Sequence, residues 1–243
     1  MAGLSGTPTI GTVDLYTSSS VKGNVELGQL IFGPHGKAFR YALFGELAVV
    51  GDIYQSSVVD TQFDDLAVPA ALAVGVSTVV VTNGTTAVTA GQYVDGTLSV
   101  SVTPGLGEEY TIIGHGTAIS GAALTLYLDR PLRTAWTTST KVTVRRSPWS
   151  GVVKCPTSLT GTVVGVALYA VASGEYGWLQ TKGVASVLSD NSTGAAGSDV
   201  GVPGASAGSV GVNVAGTGKS NTVGRAMRAL ASAKCVPIEL CID

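Results

Sequence analysis

Gly204-Ala205-Ser206-Ala207-Gly208 has the G-x-S-x-G spacing of a nucleophile elbow. In such an elbow a sharp strand-to-helix turn exposes the serine, and an acid and then a histidine follow along the chain. Here both histidines, His35 and His115, precede Ser206, and the match lies in a Gly/Ala/Ser-rich stretch where this spacing arises by chance. Gly216-Thr217-Gly218-Lys219-Ser220 imitates the end of a phosphate-binding loop, but the position that needs the first glycine is Asn213. The residues after Ser220 are also too few for the metal-coordinating strand of a nucleotide-binding sheet.

The remaining reactive side chains are scattered. Asp64-Asp65 and Glu108-Glu109 are adjacent pairs, and neighbours on a strand point to opposite faces, so neither pair by itself builds a two-carboxylate acid/base site. His35 and His115 are each framed by glycine and have no ligand spacing. Cys155, Cys235 and Cys241 make an odd set without a C-x-x-C, which points to reduced thiols made in a cytoplasm, although Cys235 and Cys241 could approach each other. The sequons at Asn83 and Asn191 carry no weight without a secretion signal. No catalytic residue, metal site or cofactor is therefore expected. Trp136, Trp149 and Trp178 are the rings a saccharide would stack on, if they are not corner and core residues.

Composition points to a structural role. The 243 residues include 33 glycines, only 12% are charged and 45% are hydrophobic, the apolar share being chiefly Val, Ala, Leu and Ile with abundant Thr and Ser. Val, Ile and Thr suit a pleated, half-buried surface, and Gly supplies turns at positive φ. So few charges imply either a large Ser/Thr/Gly surface or a face that sits against a partner. A net charge of −2, with Arg145-Arg146 the one tight basic pair, argues against nucleic acid. The N-terminus lacks the basic and apolar regions of a signal peptide, and the most apolar stretch, Leu66 to Val81, is interrupted by Pro69 and Gly75, so no membrane span is expected.

The elements that would carry these residues read as strands. Alternation at Leu98, Val100 and Val102 follows an Asp95-Gly96 turn, and Asn83-Gly84 stands between two β-branched runs as a hairpin signal. AFRYALFGELAVVGDIYQSS reads as strand, turn at Gly45-Glu46, strand ending at Gly51-Asp52, and a further short strand. The expected fold is all-β, sandwich- or barrel-like, with an extended N-terminal arm. At most two short helices are expected, over Thr61–Val74 (broken at Pro69) and Thr222–Ala233. The expected division is an arm over 1–36, a main β domain over 37–158, and a second β region over 159–243 with Gly/Ala/Ser-rich loops. Alternation in the arm and neutral composition single out Val13, Leu15, Leu27 and Phe32, with the strand Phe39-Arg40-Tyr41, as assembly residues.

Several segments, taken in order, resemble a known group. GKAFRYALFGELAVVGDIYQSS, QYVDGTLSVSVTPGLGEEYTIIGH, LTLYLDRPLRTAWTTSTKVTV, WSGVVKCP and VVGVALYAVASGEYGWLQTKGVASVL are similar to segments of decoration (cement) proteins of tailed-phage capsids. The resemblance spans roughly residues 36–190 and includes no catalytic motif. It implies an all-β virion protein, made in the host bacterial cytoplasm and bound outside the shell to the major capsid protein. The same resemblance implies a homo-oligomer, often a trimer. The alternative is a carbohydrate-binding or adhesin module, such as a head fibre or tail-associated receptor binder.

Overall fold

The computed structural model describes residues 14–190, 194–213 and 221–243. The chain is nearly all β, as its composition implies. The strands run β1 (Leu30–Phe32), β2 (Ala38–Phe44), β3 (Ile53–Gln55), β4 (Leu66–Ala67), β5 (Thr78–Thr82), β6 (Thr97–Val102), β7 (Glu109–His115) and β8 (Ala123–Leu128). They continue as β9 (Lys141–Arg145), β10 (Ser150–Lys154), β11 (Val163–Ala167), β12 (Tyr176–Ser189), β13 (Asp199–Val202), β14 (Gly211–Val212), β15 (Asn221–Ala226) and β16 (Lys234–Cys241).

Two compact units form, one from Met1–Val58 with Pro148–Asp243 and one from Val59–Ser147. This is not the linear division expected from sequence: the second unit is inserted within the first. Residues 37–58 and 148–158 belong with the C-terminal region because β10 pairs with both β2 and β3, and β11 pairs with β3.

In the first unit, β2, β10, β3, β11 and β12 pair in turn, and β12 pairs back onto β2, closing a barrel-like ring. Phe44, Tyr54, Val152, Val164 and Leu179 fill one core there. The long strand β12 then leaves the ring. Its first half pairs with β2 and β11, and its second half, from Lys182 to Ser189, pairs with β16. Gly183 marks the departure, with φ of +80° and Lys37 so near that a Cβ would lie 3.1 Å from its Cα. Beyond it, β16, β15, β13 and β14 extend the sheet over a second core that includes Val187, Val200, Val223, Val236 and Ile238.

The second unit is one six-stranded antiparallel sheet in the order β4-β9-β6-β7-β8-β5. Its end strands β4 and β5 touch, so the sheet curls nearly closed around Phe63, Leu98, Ile112, Leu126, Trp136 and Val142. Inward and outward residues alternate along β9, where Val142 and Val144 are buried.

Several expectations are overturned. No helix forms over Thr61–Val74 beyond a single 3-10 turn at Thr61–Phe63; Asp65 then takes φ of +52° and β4 begins at Leu66. Thr222–Ala233 is not helical either, since Asn221–Ala226 is a strand held between β13 and β16. Asn83-Gly84 does not turn a local hairpin, because β5 pairs with β8. Leu47–Gly51 is a turn, not the strand that its apolar run suggested.

Cys235 and Cys241 both lie on β16, six positions apart. At about 3.4 Å per residue that is about 20 Å, far outside disulfide reach. Both are exposed, while Cys155 is buried and its thiol is pushed up to about 12 by burial. A thiol reagent is therefore expected to label Cys235 and Cys241 in the native protein and to reach Cys155 only on unfolding. Counting labelled thiols by mass before and after denaturant checks this, and rapid native labelling of Cys155 would contradict it.

Candidate functional site

The residues that tempt a catalytic reading are not brought together. Ser206 lies in a turn after β13, where its carbonyl accepts the Ser209 hydroxyl at 2.7 Å, and no helix follows it among the described residues. Lys219 and its glycines, and the sequon at Asn191, lie outside the described residues. Asp64 pairs with Arg145, and Asp65 accepts the Ser101 hydroxyl at 2.6 Å. His35 is exposed in a tight turn at φ of +59°. His115 is buried; its Nε2 accepts the Tyr93 amide at 2.8 Å, and its Nδ1 lies 2.8 Å from the Gly116 carbonyl oxygen. Both ring nitrogens are thus spent on holding backbone.

Glu108 is buried while its neighbour Glu109 faces solvent. The Glu108 carboxylate accepts the Tyr110 and Thr134 hydroxyls, each at 2.6 Å. Burial alone would raise its pKa, but these hydrogen bonds, with the nearby Arg133 charge, outweigh burial and hold the carboxyl below its ordinary value. This is a structural anchor. Among the described residues, no group of three or more His, Cys, Asp or Glu is placed to hold a metal ion.

The tryptophans offer little to a saccharide. Trp136 and Trp178 are buried, and Trp149 is half-buried, with the Arg40 guanidinium 4.8 Å from its ring centre.

The expected assembly residues divide sharply. Val13 lies outside the described residues. Leu15, Phe39 and Tyr41 are buried together with Ile31 and Trp178, and Leu27 packs half-buried against them. Arg40 donates to Asp243 at 2.8 Å and to the Gly28 carbonyl at 2.7 Å. These side chains fasten residues 14–32 to the outside of the chain's own barrel. β2 is buried on both faces for this reason: Phe44 faces the barrel core, and Phe39 and Tyr41 face the N-terminal segment. Phe32 is the exception. It ends edge strand β1 and is 63% exposed.

One apolar surface of the first unit is not among those that the sequence singled out. Between β2 and β3 the chain makes the turn Gly45–Asp52, in which Leu47 is 62% exposed and Val49 and Val50 are also exposed. The backbone beneath is fixed. Gly45 donates to the Val152 carbonyl, Ala48 to Val171, Gly51 to Ala167, and Val49 to the Tyr54 hydroxyl, all within 2.9 Å. Ala48 is buried as the plug. The turn closes on an ion pair between the buried Asp52 and the partly exposed Lys154, Nζ to Oδ2 at 2.5 Å. Three branched apolar side chains are thus presented to water on a rigid base, where burial against a partner costs little ordering entropy. In the second unit, β7, β8 and β5 carry an outer face with Ile113, Tyr127, Thr125, Thr78 and Val80, and with the Glu109 carboxylate at one end of β7.

No protein-family model, curated protein or solved structure matches the chain, so its residues alone carry the functional argument.

Proposed function

We propose that the chain is a structural virion protein that binds the outer surface of a phage capsid and stabilises the shell by bridging major capsid protein subunits. The observation that carries this reading is the anchored turn with Leu47, Val49 and Val50 in solvent. Such a surface fits adhesion to a neutral protein partner. The resemblance over residues 36–190 supplies the identity of that partner. Binding only the assembled shell would stabilise it by mass action, and a cyclic homo-oligomer, as the resemblance implies, would engage several subunits at once.

The test is co-sedimentation with purified shells, together with quantitative mass spectrometry of virions. A copy number near that of the major capsid protein, or a simple fraction of it, is expected. Replacing Leu47, Val49 and Val50 by Asp is expected to leave the thermal unfolding curve close to that of the parent chain and to weaken shell binding by about a hundredfold. Undiminished binding by that variant would remove the turn from the interface. Absence of the chain from virions would overturn the virion reading itself.

A further inference from the structure

Residues 14–27 cross the outside of the barrel on few described backbone bonds. From Asp14 to Leu27 the described backbone–backbone hydrogen bonds to the rest of the unit are the two that Ser19 exchanges with Tyr176, at 3.0 and 2.8 Å. The other fastenings use side chains. The Ser18 hydroxyl donates to Glu175 at 2.5 Å, the Tyr169 hydroxyl to the Thr17 carbonyl, and the Tyr41 hydroxyl to the Lys22 carbonyl at 3.2 Å. Beneath lies an aromatic shelf in which Tyr41 stacks on Tyr176 at 5.8 Å and tilts against Trp178 at 5.0 Å. Leu15 is the one fully buried apolar side chain that the crossing segment sets into it. Tyr16 and Val21 remain exposed.

We infer that residues 14–27 form an exchangeable strap, whose seat on Tyr41, Tyr176 and Trp178 also accepts the same segment from a second copy of the chain. A seat complementary to its own strap is equally complementary to the identical strap of a neighbour. A segment held, among the described bonds, by two backbone bonds and a few side-chain ones opens locally at lower cost than the β12–β16 ladder, whereas Gly28 and Gln29 are bonded through their backbone to Tyr41 and stay in place. When copies are held side by side, the neighbour's strap reaches a high effective concentration and exchange costs no new contact. The inference does not depend on what the Leu47–Val50 turn binds.

The test uses the full chain with Cys235→Ser and Cys241→Ser, so that no other exposed thiol competes. Ser18→Cys and Glu175→Cys are placed on separate chains, which are mixed at high concentration and oxidised. Disulfide-linked dimers that require both variants are expected, while either variant alone gives none through this pair. Both substitutions on one chain give an internal bridge at low concentration, which verifies that the pair can bond. An internal bridge without mixed dimers would overturn exchange. Native-state hydrogen exchange supplies an independent readout: the Ser19 amide is expected to exchange at least about tenfold faster than that of Val187 in the ladder. Equal protection of the two amides would show that the strap does not open, whatever the disulfides do.

Discussion

Replacing Trp136 by alanine is expected to lower the stability of the second unit by about 3–5 kcal/mol, the cost of emptying a large aromatic site in a packed core. The indole is essentially inaccessible and sits among Leu98, Val100, Leu132 and Val142. Tyr110 meets it edge-on at 6.0 Å and 71°. Gly105, at φ of +90°, admits it, because a Cβ there would lie 2.7 Å from its Nε1. Its backbone also exchanges hydrogen bonds with Leu72, tying a long loop to the sheet. Trp136→Phe keeps most of the packing and is expected to cost less than half as much. Denaturant titration of both variants checks this, and an alanine cost under about 1 kcal/mol would mean that the site collapses around the gap.

The same corner predicts acid sensitivity. Glu108 in the fold titrates below its ordinary value of 4.5. Its contribution is therefore complete above that value and is lost as pH falls through the folded one. Glu108→Gln is expected to be less stable at neutral pH and to lose less on acidification.

The strands were legible wherever local pattern and tertiary demand agree. Val142 and Val144, two apart and both inward, show their face in sequence, and so do Leu98 and Val100. The helix readings failed where they conflict. Ala, Arg, Met and Leu after Thr222 have good helix propensity, yet Gly224 lies against the Glu239 carbonyl so closely that only a residue without a side chain fits. That approach between β15 and β16 is a long-range fact, and it decides the local structure. The inserted unit was invisible for the same reason: β3 and β10 are neighbours in space across the whole of Val59–Ser147.

The candidate surface was harder to read than the fold. A run of apolar residues such as Leu47-Ala48-Val49-Val50 signals a buried strand when read alone, because burial is the usual fate of such a run. What exposes three of the four is that the amides of Ala48, Val49 and Gly51 find acceptors in parts of the chain far away or behind the turn. The bracketing glycines, Gly45 and Gly51, were the one local hint of a turn. Conversely, the alternation that singled out Leu15, Phe39 and Tyr41 was genuine, but it marked the seat of the strap inside the same chain. Periodicity reports that a face is covered and is silent on whose residues cover it.

Removing the Lys154 ammonium is the second large effect expected. Asp52 is 4% exposed and its charge is met by Lys154 Nζ at 2.5 Å, while the lysine side chain is 29% exposed. The pair is roofed by Gly208, at φ of +77°, where a Cβ would lie 2.8 Å from the Asp52 carboxyl carbon. Lys154→Met would leave a carboxylate buried without a counter-charge, at a cost of about 3–5 kcal/mol. Asp52→Asn is expected to cost less, because the partly exposed ammonium can turn to water. The double variant is expected to be more stable than Lys154→Met alone, since it removes the stranded charge; a double-mutant cycle from denaturant titrations measures that coupling. Simple additivity would mean that the two groups do not depend on each other. The consequence reaches the surface, because Asp52 ends the turn that carries Leu47, Val49 and Val50. If the turn binds a shell as proposed, Lys154→Met at a temperature where the chain is still folded should weaken that binding as well, through loosening of the turn, with none of the apolar side chains altered.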